Sequence, residues 1–236
     1  GCTGGVPGAD EACSGYLVEG GGVRIVVDLG PGTMANLQHH VALTDVDAVV
    51  LSHVHPDHWV DFTVLNTAYA YGMPRTGVPV FGTVGTREAA TAVLGELAPV
   101  WSWTDIADGS TASVGGLDLS FRRTDHYVET LAVRISDGER SVAYSADTGP
   151  GFSFASFGAP IDLAICESTM HVDEEPDGVL HLSARQAGVM AREAGVGRLL
   201  LTHFAAGAVR SVHEEAGREA FGAPVGIASI HATFEA

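Results

Sequence analysis

Apolar residues in this chain come in short runs separated by glycine, proline and aspartate, a pattern that predicts many strands and few long helices. The runs place strands at 16–19, 23–29, 47–52, 78–81, 117–124, 131–135, 142–146, 163–166, 199–202 and 226–230. Asp137-Gly138 between two of these runs predicts an antiparallel hairpin closed by a type I′ turn. Helical periodicity appears at 86–97, 183–194 and 211–220. The middle helix is the best bounded, because Ser183 and Gln186 form a capping box and Gly195 supplies a stop. Strands interspersed with helices predict a layered α/β or α+β sandwich, with the order of strands left open.

Composition narrows the class. The 236 residues are 46% hydrophobic and 17% charged and include 30 glycines, which describes one globular, turn-rich domain over 1–236. The chain opens inside a glycine-rich turn, Gly1-Cys2-Thr3-Gly4-Gly5, which leaves room for an opening strand ahead of residue 1. A formal net charge of −17 repels phosphate backbones and anionic membranes, so a broad nucleic-acid platform is disfavoured. All 12 basic residues are Arg, which removes Schiff-base and P-loop lysine chemistry. Three cysteines without C-x-x-C spacing encode neither a disulfide framework nor a thiolate zinc knuckle. With apolar runs far short of the ~18 residues of a membrane span, the expectation is a cytoplasmic chain that makes no membrane contact.

The chemistry concentrates in Leu51-Ser52-His53-Val54-His55-Pro56-Asp57-His58, which follows an apolar strand directly. Three His and one Asp in H-x-H-x-D-H order would arise by chance roughly once in several hundred chains of this length and composition. His53 and His55 share one side of an extended segment, and Pro56 turns the chain before Asp57 and His58. Imidazole and carboxylate donors suit Zn²⁺ and tolerate Mn²⁺ or Fe²⁺. His126, Asp147 and His203 each stand at or just past the end of a separate predicted strand, the layout of a site assembled from strand-end loops. The remaining candidates are weaker. His171 reads as exposed, His39 and His40 as a solvated helix face, and His213 and His231 lack a partner motif. Trp59, Trp101 and Trp103 read as core or interface residues, while Phe62, Tyr69 and Tyr71 fit either a pocket wall or an amphipathic helix.

The first motif, with Thr124-Asp125-His126, Ser145-Ala146-Asp147-Thr148-Gly149 and Leu201-Thr202-His203 in that order, resembles the metallo-β-lactamase superfamily over essentially the whole chain. The resemblance implies a four-layer αββα sandwich and two divalent metal ions. By it, His53, His55 and His126 hold one ion, Asp57, His58 and His203 the other, and Asp147 bridges them. Gly4-Gly5-Val6-Pro7, Asp28-Leu29-Gly30-Pro31-Gly32-Thr33 and Phe81-Gly82-Thr83-Val84-Gly85-Thr86 look most like the tRNase Z and phosphodiesterase branch. Cys166-Glu167-Ser168-Thr169 resembles that branch's His-Glu-Ala-Thr segment, with Cys166 in place of its His, and His181-Leu182-Ser183 its His-Ser-Thr segment. In the branch this Glu and His cooperate to protonate the leaving oxygen. Glu167, His181 and Asp57, the last as ligand and as hydrogen-bond acceptor from the nucleophile, are therefore the expected catalytic residues.

The tRNA-processing members carry a long basic arm, in many bacterial forms between the third His ligand and the bridging Asp. Here His126 and Asp147 are 21 positions apart, enough for two strands and a tight turn. The expectation is a dinuclear hydrolase of a small phosphodiester such as a cyclic nucleotide, an activity known in compact actinobacterial relatives. Branch members are often homodimers, which sets the expected assembly. Rival readings are a lactone, thioester or other acyl hydrolase using the same metals, a tRNA 3′-processing endonuclease, disfavoured by the missing arm and the acidic charge, and a silent metal-binding module. Redox di-iron relatives usually carry Glu where this chain has His55, which ranks electron transfer lower.

Overall fold

Strands buried on both faces have no need to alternate apolar with polar residues, and the central runs here do not. Ile25 and Val27 of β2 (Val23–Val27) belong to one buried cluster, whereas Val26 between them belongs to another. Ala48 and Val50 against Val49 and Leu51 repeat this division in β3 (Ala48–Leu51). A computed structural model describes residues 1–171 and 174–236. In it a five-stranded sheet runs β1 (Tyr16–Gly20), β2, β3, β4 (Val78–Gly82), β5 (Trp101–Asp105), antiparallel at β1/β2 and parallel thereafter. Its outer face carries α1 (Thr33–Leu37), α2 (Pro56–Thr67) and α3 (Val84–Leu94), packed through Met34, Leu37, Trp59, Phe62, Leu65 and Ala90.

The second sheet has seven strands in the order β12 (Val225–Ile227), β11 (Arg198–Thr202), β10 (Leu163–Glu167), β9 (Ser141–Tyr144), β8 (Leu131–Ser136), β7 (Leu117–Arg123), β6 (Thr111–Val114). β9 to β12 are parallel, and β6 to β9 are antiparallel neighbours. Helices α4 (Ala184–Glu193) and α5 (Arg210–Phe221) pack on each other and on β10 and β11. The larger apolar cluster joins the facing sides of the two sheets and continues to α4. The architecture is the αββα sandwich that the family resemblance implies.

Several local expectations are corrected. β2 ends at Val27 and not Leu29, because Asp28 turns the chain at φ 59. The last strand is β12, shorter than 226–230. β5 and β6 were not anticipated, since Trp101–Asp105 is broken by polar residues and Thr111–Val114 is a half-exposed edge. The β8/β9 hairpin is antiparallel as expected, closed by Asp137 N–H donating to the Arg140 carbonyl. Of its central residues only Gly138 has positive φ (95), the type II′ signature and not type I′. His39 and His40 lie just beyond α1, exposed. The capping box of α4 forms as read. Phe62 and Tyr69 are buried in the outer cluster, whereas Tyr71 is exposed. Cys2, Cys13 and Cys166 are all buried free thiols. Among the described residues no helix is long and apolar enough to cross a membrane.

Candidate metal centre

Five strands converge on one end of the sandwich and deliver the reactive side chains from the loops just past their last residues. His53 and His55 follow β3, His126 follows β7, Asp147 follows β9, Glu167 ends β10, and His203 follows β11. His55 is the N-cap of α2, Pro56 its first residue, and Asp57 and His58 lie in its first turn. Three of the five non-glycine residues with positive φ among the described residues sit here: Asp28 (59), Ala146 (50) and His203 (56). Such conformations persist where packing over-determines them, and they aim the neighbouring side chains inward.

The seven residues form two facing sets. His53, His55, His126 and Asp147 each offer an atom within 4.8 Å of the others, and Asp57, His58 and His203 do the same. Asp147 faces both. Its Oδ2 lies 3.6 Å from His53 Nε2 and 3.8 Å from His126 Nε2, while Oδ1 lies 3.1 Å from His58 Nε2 and 3.2 Å from His203 Nε2. Asp57 Oδ2 completes the second set, 3.5 Å from His58 Nε2 and 3.3 Å from His203 Nε2, and accepts the Gly5 N–H at 2.7 Å.

The outer nitrogen of each buried imidazole in the cluster has its own partner, which fixes the tautomer. His58 Nδ1 donates to Asp28 Oδ2 (2.7 Å) and His126 Nδ1 to the Leu180 carbonyl (3.0 Å). Ser52 Oγ donates to Asp28 and thereby accepts from His53 Nδ1 (3.0 Å). Thr169 Oγ1 donates to Glu167 Oε2 (2.7 Å) and thereby accepts from His203 Nδ1 (2.8 Å). With Nδ1 protonated at His53, His126 and His203, their Nε2 lone pairs point into the cluster, as ligating imidazoles require. Burial keeps these rings neutral at His53, whose pKa falls to about 4, and lowers it at His55 and His126. His58 goes the other way: burial opposes its charge, but the flanking Asp147 and Asp28 carboxylates outweigh burial and raise it well above the usual range. Burial likewise opposes the charge of Asp147, yet His203, His58 and His53 hold its pKa well below normal.

The donor set fits a cation. Imidazole nitrogens face one another at 3.0 Å (His53 Nε2 and His55 Nδ1), 3.3 Å (His126 Nε2 and His55 Nδ1) and 3.1 Å (His58 Nε2 and His203 Nε2). Tetrahedral ligands on bonds of about 2.0–2.1 Å stand roughly 3.3 Å apart. Among the described residues Asp147 Oδ1 is a buried acceptor with no hydrogen bond of acceptable angle, although two imidazoles lie against it. Lone pairs gathered around an orphaned carboxylate oxygen are satisfied by metal ions.

Residues 23–204 match the family described as a β-lactamase superfamily domain. The chain belongs to the metallo-β-lactamase superfamily. It is 35% identical over 210 residues to the probable metallo-hydrolase YhfI of Bacillus subtilis, covering 86% of this chain and 84% of that one. The crystal structure of YhfI superposes with a TM-score of 0.88 over 98% of this chain and 94% of its own, at 31% identity. Rv1339 of Mycobacterium tuberculosis is 32% identical over 247 residues, covering 100% of this chain and 90% of Rv1339. The ribonuclease Z of Methanopyrus kandleri is 27% identical over 256 residues, 94% of this chain and 91% of that enzyme. These relatives fit the ribonuclease Z and phosphodiesterase-like branch.

Glu167 and His181, the further pair expected from that branch, meet beside the cluster. Glu167 is fully buried and its Oε1 accepts from His181 Nδ1 at 2.9 Å. The His181 side chain is 23% exposed, and its ring stacks on His203 at 5.7 Å between centroids. Burial alone would lower the His181 pKa, but the hydrogen bond and charge of Glu167 outweigh it and raise it to about 9. A cavity of about 220 Å³ opens beside His181, bounded by Asp125, Pro150, Met170 and Gln186. A larger cleft of about 550 Å³, between β1 and the 228–236 tail, is lined by none of the seven cluster residues.

His171 is exposed, as read, and lies beside buried His213 (centroids 6.4 Å), while His40 and His231 pair at the surface, outside both sets. The residues that sequence reasoning missed are those behind the cluster: Asp28, Ser52, Thr169 and the Leu180 carbonyl. A carboxylate near the end of the apolar run 23–29, opening the Asp28–Thr33 motif, was the readable signal for Asp28. Gly30 holds this shell against α2. A Cβ there would lie 1.9 Å from the Asp57 carbonyl oxygen, between the clamping bonds Leu29 N–H to His58 O and Asp61 N–H to Leu29 O. Gly30→Ala is therefore expected to destabilise the fold by about 3 kcal/mol, read as a lower midpoint in urea unfolding.

Proposed function

We propose that the chain is a dinuclear, zinc-dependent phosphodiesterase acting on a small substrate. His53, His55 and His126 would hold one ion and Asp57, His58 and His203 the other, with Asp147 shared between the two sets. The division of Asp147 between the two histidine sets supports this assignment, and the all-N/O donor set supports Zn²⁺. When bound, two divalent ions supply Lewis acidity toward the phosphoryl group and make water a competent nucleophile near neutral pH. Asp57, anchored by the Gly5 N–H, orients that water by accepting its proton in a hydrogen bond.

The observation that carries the phosphodiesterase reading is the Glu167–His181 pair. An acid held protonated by a buried carboxylate and partly open to solvent is what an alkoxide leaving group needs. Acyl transfer from a thioester or aryl ester, whose thiolate or phenolate departs without a proton, makes no comparable demand. The zinc-loaded protein should cleave bis(p-nitrophenyl) phosphate and cyclic nucleotides with kcat/KM about 10²-fold above that for aryl acetates and lactones. The reverse selectivity would replace this reading with the acyl-hydrolase one, and no turnover of either class by a fully loaded protein would leave a metal-binding module.

The short β8–β9 hairpin between His126 and Asp147 and the charge of −17 speak against a polymer substrate. Binding of precursor tRNA should be weak at physiological salt, with a shallow dependence of log K on log salt, because no basic stripe releases counterions. Filter binding across a salt series checks this, and a steep slope would restore the tRNA-processing reading.

A further inference from the structure

The cluster is closed on most sides by buried side chains and open where His55 and His181 reach solvent. Tyr127 stands at this opening. It sits in the turn between β7 and β8, the residue after His126, and is 70% exposed. The turn is tied down at its base, where Thr124 N–H donates to the Thr130 carbonyl and Thr124 Oγ1 donates to the Asp147 carbonyl. The ring therefore stands on a fixed support.

One side of the Tyr127 ring packs on two imidazoles of the cluster: His126, at 4.4 Å between centroids and 41° between planes, and His55, at 5.0 Å and 45°. The rest of the ring is exposed. Among the described residues the Arg–aromatic stacks are Arg75 on Tyr69, Arg122 on Phe157 and Arg210 on Phe204, and Tyr127 joins none of them. Its hydroxyl has no hydrogen-bond partner among them either. A large aromatic ring left in water, held rigid and laid against the reactive cluster, has a free π-face at the spot where a substrate must enter.

We propose that Tyr127 is a stacking subsite for a planar aromatic substituent of the substrate, a nucleobase in the first instance. The inference rests on the phosphodiesterase reading and adds what that reading leaves open, the part of the substrate remote from phosphorus. A π-face recognises any base, so the subsite favours nucleotides over plain phosphodiesters while discriminating weakly among bases, with purines ahead of pyrimidines through their larger overlap. It needs no positive charge, in keeping with the acidic chain. Binding energy gathered there positions the phosphorus over the cluster without touching the reacting atoms.

The test pairs equilibrium binding with turnover on the zinc-loaded protein. Adenosine monophosphate and ribose 5-phosphate serve as binding probes, and cyclic AMP and 1-O-methylribofuranose 3,5-cyclic phosphate, which lacks the base, as substrates. Tyr127→Ala should weaken binding of adenosine monophosphate about 5- to 50-fold and raise KM for cyclic AMP comparably, with little effect on kcat, on ribose 5-phosphate or on the abasic substrate. Tyr127→Phe should restore wild-type binding, since the ring and not the hydroxyl does the stacking. Metal content should be unchanged in both variants. Equal weakening of both binding probes would make Tyr127 a shield for His55, a Phe variant as weak as Ala would make it a hydrogen-bond donor, and an unchanged Ala variant would give it no role at the mouth; each result overturns the proposal. Tyr127-dependent binding of adenosine monophosphate by a protein that cleaves no phosphodiester would remove the proposed function and leave the stacking subsite standing.

Discussion

Asp147→Ala should strip both metal ions from the protein and lower phosphodiester turnover by about 10⁴-fold or more. The size of the effect follows from where the two carboxylate oxygens point. Oδ2 faces His53 and His126 while Oδ1 faces His58 and His203, so one truncation removes a donor from each set. Five imidazoles and Asp57 then remain, with no carboxylate shared between the two sets to offset the mutual repulsion of two divalent charges. Metal analysis after exhaustive dialysis, with far-UV circular dichroism to establish folding, reads the outcome. A folded variant that keeps two ions and most of its activity would mean that Asp147 ligates neither, and one that keeps a single ion with half the activity would mean that the two sets act independently.

The cluster itself was legible because its chemistry is written locally. H-x-H-x-D-H is dense enough to stand out, and His126, Asp147 and His203 each follow an apolar run at a strand end, where the backbone leaves the sheet and side chains can converge. The parallel strands β3, β10 and β11 were legible for the same reason, as unbroken apolar runs buried on both faces. What escaped was either non-local or weakly patterned. Ser52, Thr169 and the Leu180 carbonyl act by a single hydrogen bond each, to imidazoles brought beside them by the fold, and no spacing in the chain announces such a partner. β5 and β6 escaped because edge strands can be polar, and Trp101–Asp105 alternates a buried Trp with exposed residues. The hairpin turn was read from Asp137-Gly138 as the central pair, whereas the closing bond from Asp137 to Arg140 shifts the centre to Gly138-Glu139. One position of register exchanged one turn type for its relative.

The pair Glu167–His181 gives the second large effect, and it separates proton donation from positioning. If His181 protonates the leaving oxygen, His181→Ala should lower turnover of a diester with an alkoxide leaving group, such as cyclic AMP, by about 10²- to 10⁴-fold at unchanged metal content. For bis(p-nitrophenyl) phosphate the loss should shrink toward about 10-fold or less, because a nitrophenolate departs without a proton. Glu167→Gln should show the same contrast more weakly. It removes the charge and weakens the hydrogen bond that together outweigh burial and raise the His181 pKa to about 9, so the alkaline limb of the pH profile should move down in that variant. The sign follows from the role: an acid must be protonated to act, so activity that depends on it fades as pH rises through its pKa. Glu167 also binds the Thr148 N–H, the Leu182 N–H and Thr169 Oγ1, the last of which holds His203, so Gln is the informative substitution and Ala would loosen the cluster as well. An equal loss on both substrates would make His181 a residue that positions the phosphoryl group, and the protonation role carried by the Glu167 contact would fall.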